Sequence, residues 1–244
     1  MSSIYVETLP ELPGVGRLGR KIEHDARSLA YAIERDIAVM LAAAGIGPAP
    51  KPVEWKRYSP ILDQGNIGSC TGNAMAGLLG TEPFSRDAAS GARWDEAAAL
   101  ELYELATHLD HFPGIYPPDD TGSSGLAVAK AAQREHAIRS YGMARTTAGL
   151  LHALAAGPVI VGTVWLTGME DTAHDGYVTV DGDVRGGHEY LIRGWDIDMR
   201  THRPYLLCDN SWSAGWGVGG SFRIRLDDWE YLRKQRADVT IPYL

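Results

Sequence analysis

Two textures divide the chain. Between residues 69 and 138 apolar and polar positions recur with a helical period: "SCTGNAMAGLLG" is small or apolar almost throughout, as in a helix buried on most sides, and "DEAAALELYELATHL" (95–109) and "SGLAVAKAAQREHAI" (124–138) are clear helices. After residue 139 the period changes. "GPVIVGTVW", "GYVTVDGDVRGGHEYLIRGWD", "RPYLLCDNSW" and "SFRIRL" are β-branched or alternating runs separated by glycine, aspartate and proline, the pattern of strands. Ahead of both, residues 1–16 are rich in proline and glycine, "GRKIEHDARSLAYAIERDIAVMLAAAG" mixes charge and apolar residues at a broadly helical spacing, and "GIGPAPKP" breaks the pattern near residue 50. The expected organisation is an arm with a helix over 1–50 and an α+β unit over 51–244. Its helical lobe would span about 64–138, its β lobe 51–63 and 139–244, with a cleft between them. The apolar stripe of the arm's helix wants a partner surface, so the arm is expected to pack on the β lobe and leave the cleft open; covering the cleft as a brake, or floating free, are the alternatives.

Composition narrows the partners. The net charge of −8, from 31 acidic against 23 basic residues with no basic run, disfavours binding to a phosphate backbone, so no nucleic-acid partner is expected. The most apolar run, residues 37–47, is about half the ~20 residues needed to cross a bilayer, and no membrane span is expected. The start of the chain lacks the pattern of a secretory signal, and two cysteines cannot build a disulfide framework. A cytoplasmic location is therefore the default, with virion association left open, and the alanine- and arginine-rich composition points to a bacterial or bacterial-virus source. Oligomeric state is not legible.

One of the two cysteines stands where chemistry would want it. In "SPILDQGNIGSCTGNAMAG" (59–77) Cys70 falls where a glycine-rich turn becomes a helix, and a helix start stabilises a thiolate through unpaired N–H groups and the helix dipole. Gln64, six residues upstream, could aim its amide into the same space as half of an oxyanion hole. A nucleophile needs a base and the base an orienter. His188 in "GGHEYLIRGWD" and Asn210 in "CDNSWSAGWGVGG" are the candidates, with Trp212 placed to shield the bond between them from water.

These three segments together resemble the papain-like cysteine peptidase family. "DQGNIGSC" is similar to its Gln-Gly-x-x-Gly-Ser-Cys segment, "GGHEYLIRGWD" to its histidine strand, and "DNSWSAGWGVGGSFRI" to its Asn-Ser-Trp-Gly-x-x-Trp-Gly-x-x-Gly segment. The resemblance covers roughly residues 52–230. It implies a two-lobed papain-like fold, a helical lobe facing an antiparallel β-barrel-like lobe, and hydrolysis of peptide bonds in peptide or protein substrates. Cys70 would be the nucleophile, His188 the general base and acid, Asn210 the orienter and Gln64 an oxyanion donor, with no metal or organic cofactor. By the same resemblance Ser124 and Gly125 in "TGSSGLAVAKA" occupy the place of the glycine pair lining the substrate cleft, and Gly187 and Trp212 also border it. Thr71, Ser213 and Gly187 depart from the residues usual at their positions, so subsite preference does not carry over.

Other residues receive plainer readings. Cys208, two residues before Asn210, is expected to be a small buried side chain. His108, Asp110 and His111 have a spacing that could bind metal but sit at a helix end, and His174 and Asp175 read as turn residues. Two rival functions remain open: a catalytically silent papain-fold binding or virion assembly module, and a thiol hydrolase of cell-wall cross-links or an amide transferase on the same machinery.

Overall fold

Asp95, Ser124 and Thr146 precede three of the helical runs, and each accepts a hydrogen bond from the backbone N–H three residues on, which fixes where those helices begin. The computed structural model describes residues 18–22, 25–32 and 50–244. Its elements after residue 50 are β1 (Val53–Glu54), α1 (Cys70–Leu79), α2 (Ala88–Gly91), α3 (Glu96–Leu109), α4 (Gly125–Arg134), β2 (Ser140–Ala144), α5 (Thr147–Leu154), β3 (Val159–Leu166), β4 (Val184–Ile197), β5 (Pro204–Asp209), β6 (Ser221–Arg225), α6 (Leu226–Lys234) and β7 (Asp238–Tyr243).

The seven strands form one antiparallel sheet in the order β2-β7-β3-β4-β5-β6, with β1 added to β4. The barrel-like lobe expected from the sequence is an open sheet. Its end strands β2 and β6 are not joined, and short helices cover them instead: α5 against β2 and α6 against β6. The segment 176–180, read as a strand, makes only isolated bridges, among them Tyr177 to Arg223.

Alternation along β3 and β4 builds two cores, because successive side chains leave opposite faces of the sheet. Val159, Val161, Tyr190 and Ile192 join Trp165, Leu206, Phe222 and Trp229 on one face. Ile160 and Leu191 point the other way, into a core with Met75, Leu78, Leu102 and Val128 of the helices. All ten residues of α1 are buried, and the helix is packed between α3 and β4. The start of α1 is thereby held where the helical and β parts meet.

The arm departs from its expected helix. Residues 26–31 form a 3-10 helix, not an α-helix; Ala32 bridges Met143, and the Tyr31 ring lies 5.0 Å from that of Tyr141, so this part packs on β2. Residues 18–22 are extended, and 33–49, the rest of the expected helix, lie outside the described residues.

Candidate active site

The turn before α1 is tied to the segment after β5. Gln64 N–H donates to the Ser211 carbonyl at 2.9 Å and Ser213 N–H to the Leu62 carbonyl at 3.1 Å, which brings residue 70 near residue 210 although they are far apart in sequence. On its other side the turn is held by a pair that sequence reasoning missed. Gly68 N–H donates to the Asp120 carboxylate at 2.9 Å, the Tyr103 hydroxyl donates to the same carboxylate at 2.6 Å, and Gly122 N–H donates to the Tyr103 oxygen at 2.9 Å. The only sequence signal for Asp120 was its place in a turn-rich stretch. Cys70 then opens α1, where first-turn N–H groups lack intrahelical acceptors.

Gln64 is engaged locally. Its Oε1 accepts from the Ser211 hydroxyl at 2.6 Å and its Nε2 donates to the Ile67 carbonyl at 2.8 Å. His188 sits in β4 opposite Thr163 of β3, and Asn210 follows the last residue of β5. Asn210 Oδ1 accepts from Ser211 N–H at 2.8 Å and lies 2.7 Å from His188 Nε2. Because Oδ1 is an acceptor only, Nε2 carries the hydrogen, and the lone pair of the neutral ring is on Nδ1, which has no hydrogen-bond partner. Trp212 stacks at a tilt with ring centroids 5.0 Å from His188, and Trp165 meets the ring edge-on at 4.8 Å. Trp165 was absent from the sequence reading; as the last aromatic of "GPVIVGTVW" it looked like core.

Residues 18–22 lie across this site as a strap. Arg20 N–H donates to the Gly187 carbonyl at 3.0 Å, Lys21 N–H to the Ser123 carbonyl at 2.9 Å, and Ser123 N–H to the Gly19 carbonyl at 2.9 Å. Gly19 packs against the Gly68 carbonyl in the turn before Cys70, and the backbone amides of Gly19 and Glu189 act to lower the thiol's pKa. A Cβ on residue 19 would overlap the Gly68 carbonyl, and one on residue 187 the Arg20 carbonyl, so glycine is required at both for the approach. Cys70 and His188 are wholly buried. The expectation that the arm leaves Cys70 accessible is therefore corrected: its 26–32 part packs on the β lobe while 18–22 cover Cys70, held by backbone groups that an apolar-stripe argument could not see.

Burial sets the charge state under the strap. Desolvation pushes the Cys70 thiol up to about 12, with the Glu189 and Gly19 amides and Arg20 opposing and the Glu189 charge adding to it. It pushes His188 down to about 4, against the Asn210 hydrogen bond. The thiolate expected from the helix start is thus disfavoured in this closed form, because passing its proton to His188 would make two charges without water. A pH dependence follows. Between pH 6.5 and about 4 the unfolded chain takes a proton on residue 188 that the folded chain refuses, so stability falls as pH drops through that window, by up to about 3 kcal/mol from this group. Urea midpoints of wild type and His188→Asn should show the difference between the two shifting against wild type by that order from pH 7 to pH 4; an unchanged difference would contradict it.

The other singled-out residues resolve individually. Ser124 caps α4 through its hydroxyl, while the neighbouring Ser123 supplies the backbone contacts to the strap; Gly125 borders the side chains of Glu189, Asp238 and Thr240. Gly187 is paired to Arg20. Ser213, where the resemblance has glycine, adopts φ of 65°, a conformation that favours glycine, and Thr71 is buried in α1. Cys208 is buried in the sheet core. Asp110 accepts from the Ser123 hydroxyl at 2.7 Å, and His111 Nδ1 lies 3.4 Å from the Asp25 carboxylate. Among the described residues no group of three or more His, Cys, Asp or Glu could hold a metal ion, and no helix is long and apolar enough to cross a membrane.

The chain is similar to two cathepsin B-like cysteine proteinases of Caenorhabditis elegans: number 5, 27% identical over 167 residues (64% of this chain, 44% of that protein), and number 4, 32% identical over 166 residues (64% and 45%). The matched segment thus spans less than half the length of either relative. Among solved structures, xylellain, a cysteine protease from Xylella fastidiosa, has the same fold with a TM-score of 0.61 at 18% identity (96% of this chain, 99% of that one). The recombinant stem bromelain precursor follows at 0.59 and 14% identity (94% and 77%). The family described as papain family cysteine protease matches residues 115–238, a stretch that takes in His188 and Asn210 and begins after Cys70. Over that half of its length, and with that fold, the chain belongs to the papain family of cysteine proteases.

Proposed function

We propose that this chain is a cysteine-type peptidase that hydrolyses peptide bonds by acyl transfer through Cys70, and that the strap holds it in a closed form. The observation that carries the reading is the bond from His188 Nε2–H to Asn210 Oδ1, which leaves the Nδ1 lone pair unpartnered on a strand that the strap joins, through Gly187 and Gly68, to the turn before Cys70. With the strap displaced, water re-enters and the cost of charging the pair falls. The Cys70 proton passes to His188 Nδ1, and the sulfur bonds to the substrate's carbonyl carbon. The tetrahedral oxyanion is held by the Cys70 backbone N–H and the Gln64 amide. As the C–N bond breaks, His188 gives its proton to the leaving amine; it then takes one from the water that cleaves the thioester, releasing the acid and restoring the thiol. Asn210 keeps the imidazole in the tautomer these transfers need, and Trp165 and Trp212 keep solvent from that bond.

The test is hydrolysis of a fluorogenic peptide amide by the full chain carrying Gly19→Val, which opens the strap. Turnover should appear, and Asn210→Ala in that background should lower kcat by about 100-fold, since a ring free to rotate loses its near-attack position. Thiol-dependent turnover that is indifferent to Asn210 would contradict the assignment.

A further inference from the structure

We propose that Tyr103 and Asp120 are positioning residues for the reaction: together they fix the turn that carries Gln64 and Cys70 against the loop edge at Gly122 and Ser123, and so set the spacing between the nucleophile and the backbone of a bound peptide. The inference rests on the thiol-hydrolase reading above. Its basis is a hydrogen-bonded clamp that none of the chemical steps uses. Asp120 Oδ1 accepts from the Tyr103 hydroxyl at 2.6 Å and from Gly68 N–H at 3.1 Å, and Oδ2 accepts from the same N–H at 2.9 Å. The Tyr103 oxygen accepts in turn from Gly122 N–H at 2.9 Å. Two backbone amides, one in the turn before α1 and one in the loop before α4, are thus joined through two side chains.

Both ends of the clamp are anchored. Tyr103 is wholly buried in α3, and α3 lies so close to α1 that a Cβ at residue 72 would overlap the Ala99 carbonyl and crowd Tyr103. The ring is therefore held against a helix that begins two residues earlier, at Cys70. At the other end Gly122 adopts φ of 76°, and the backbone of Ser123, the next residue, bonds Gly19 and Lys21 of the strap. Among the described residues no helix or strand lies between Leu109 and Gly125, so side-chain bonds such as these set where that loop sits. Burial and the Asp120 carboxylate both push the Tyr103 hydroxyl well above its ordinary range, which keeps it a donor at neutral pH.

Acyl transfer is sensitive to the spacing this clamp controls. With the strap gone, a peptide can take the backbone groups of Ser123 that the strap now uses. Its carbonyl carbon must then meet the sulfur while its oxygen meets the Cys70 N–H and the Gln64 amide, and a misplacement of about 1 Å can cost about 100-fold. A small, untethered alkylating reagent has no such requirement. Loss of the clamp should therefore slow hydrolysis without slowing alkylation of the thiol.

The test uses the full chain carrying Gly19→Val. Adding Tyr103→Phe deletes the hydroxyl and keeps the ring. It should lower kcat for a fluorogenic peptide amide by about 10- to 100-fold with KM changed by less than about threefold, and leave iodoacetamide alkylation of Cys70 within about twofold. Asp120→Ala should do the same, whereas Asp120→Asn should restore most of kcat, because its Oδ1 can still accept from both Tyr103 and Gly68. Unchanged kcat in Tyr103→Phe and Asp120→Ala, with turnover present in Gly19→Val, overturns the positioning role and leaves the hydrolase reading intact. Parallel losses of kcat and alkylation also overturn it, since the thiol itself has then been disturbed. Absence of turnover in Gly19→Val alone overturns the hydrolase reading, and the positioning role with it. If Tyr103→Phe fails to fold, Asp120→Ala and Asp120→Asn decide by the same two readouts.

Discussion

Gly19→Val is expected to raise the rate of Cys70 alkylation at pH 8 by about 10- to 100-fold over wild type. That factor corresponds to a strap closed roughly 90–99% of the time in the native protein, because a reagent sees only the open fraction. The valine side chain cannot coexist with the Gly68 carbonyl at the observed approach, so the strap must leave the cleft or shift along it. Either movement weakens the bonds to Gly187 and Ser123 and lets water reach a sulfur that is wholly buried when the strap is closed. The apparent pKa of the thiol should fall from the closed-form value of about 12 as desolvation is removed and His188 becomes able to accept the proton. Cys208, buried in the sheet core, should be unaffected. Equal alkylation rates for Gly19→Val and wild type would mean that the strap does not limit access.

Removing the nucleophile has the larger effect on turnover. In the strap-opened protein, Cys70→Ala should reduce peptide hydrolysis by roughly 10⁴-fold or more, and His188→Ala should do nearly as much, because the two act as a unit and their losses do not add. The diagnostic feature is the shape of the pH profile. Cys70→Ala leaves no thiol-dependent activity at any pH. His188→Ala should retain a trace that rises with pH as an unassisted Cys70 thiolate forms, since the imidazole that would take the proton near neutrality is gone.

The sequence made the site's residue types legible but not its closure. Cys70, His188 and Asn210 could be picked out because each sits in a stretch whose glycine, serine and aromatic neighbours are unusual for packing alone. The helices α3 and α4 were readable for a local reason, since Asp95 and Ser124 announce their starts. Helix α6 carries comparable local cues, acidic residues in its first turn and basic ones in its last, yet escaped notice among strands. The open edge of the sheet was not readable, because β2 pairs with β7 at the far end of the chain, and pairing over that distance leaves no local mark. The strap was hidden most completely. Gly19 and Arg20 are ordinary residues in a stretch of mixed charge, and the pocket that receives Arg20 is assembled from Gly125, Gly162, Glu189 and Asp238, four places far apart in sequence. Only tertiary contact gives Arg20 its burial and its partners.

Intact-mass measurement after incubation with an epoxysuccinyl thiol-protease inhibitor tests the central claim most directly, because that reagent reports a reactive thiol without requiring a known substrate. Wild type, Gly19→Val, Cys70→Ala and Gly19→Val/His188→Ala would be compared at near-neutral pH. The account predicts a single adduct on Cys70, formed slowly in wild type and much faster in Gly19→Val, absent from Cys70→Ala and strongly retarded when His188 is replaced. An unmodified Gly19→Val protein, or an adduct that persists in Cys70→Ala, would contradict it.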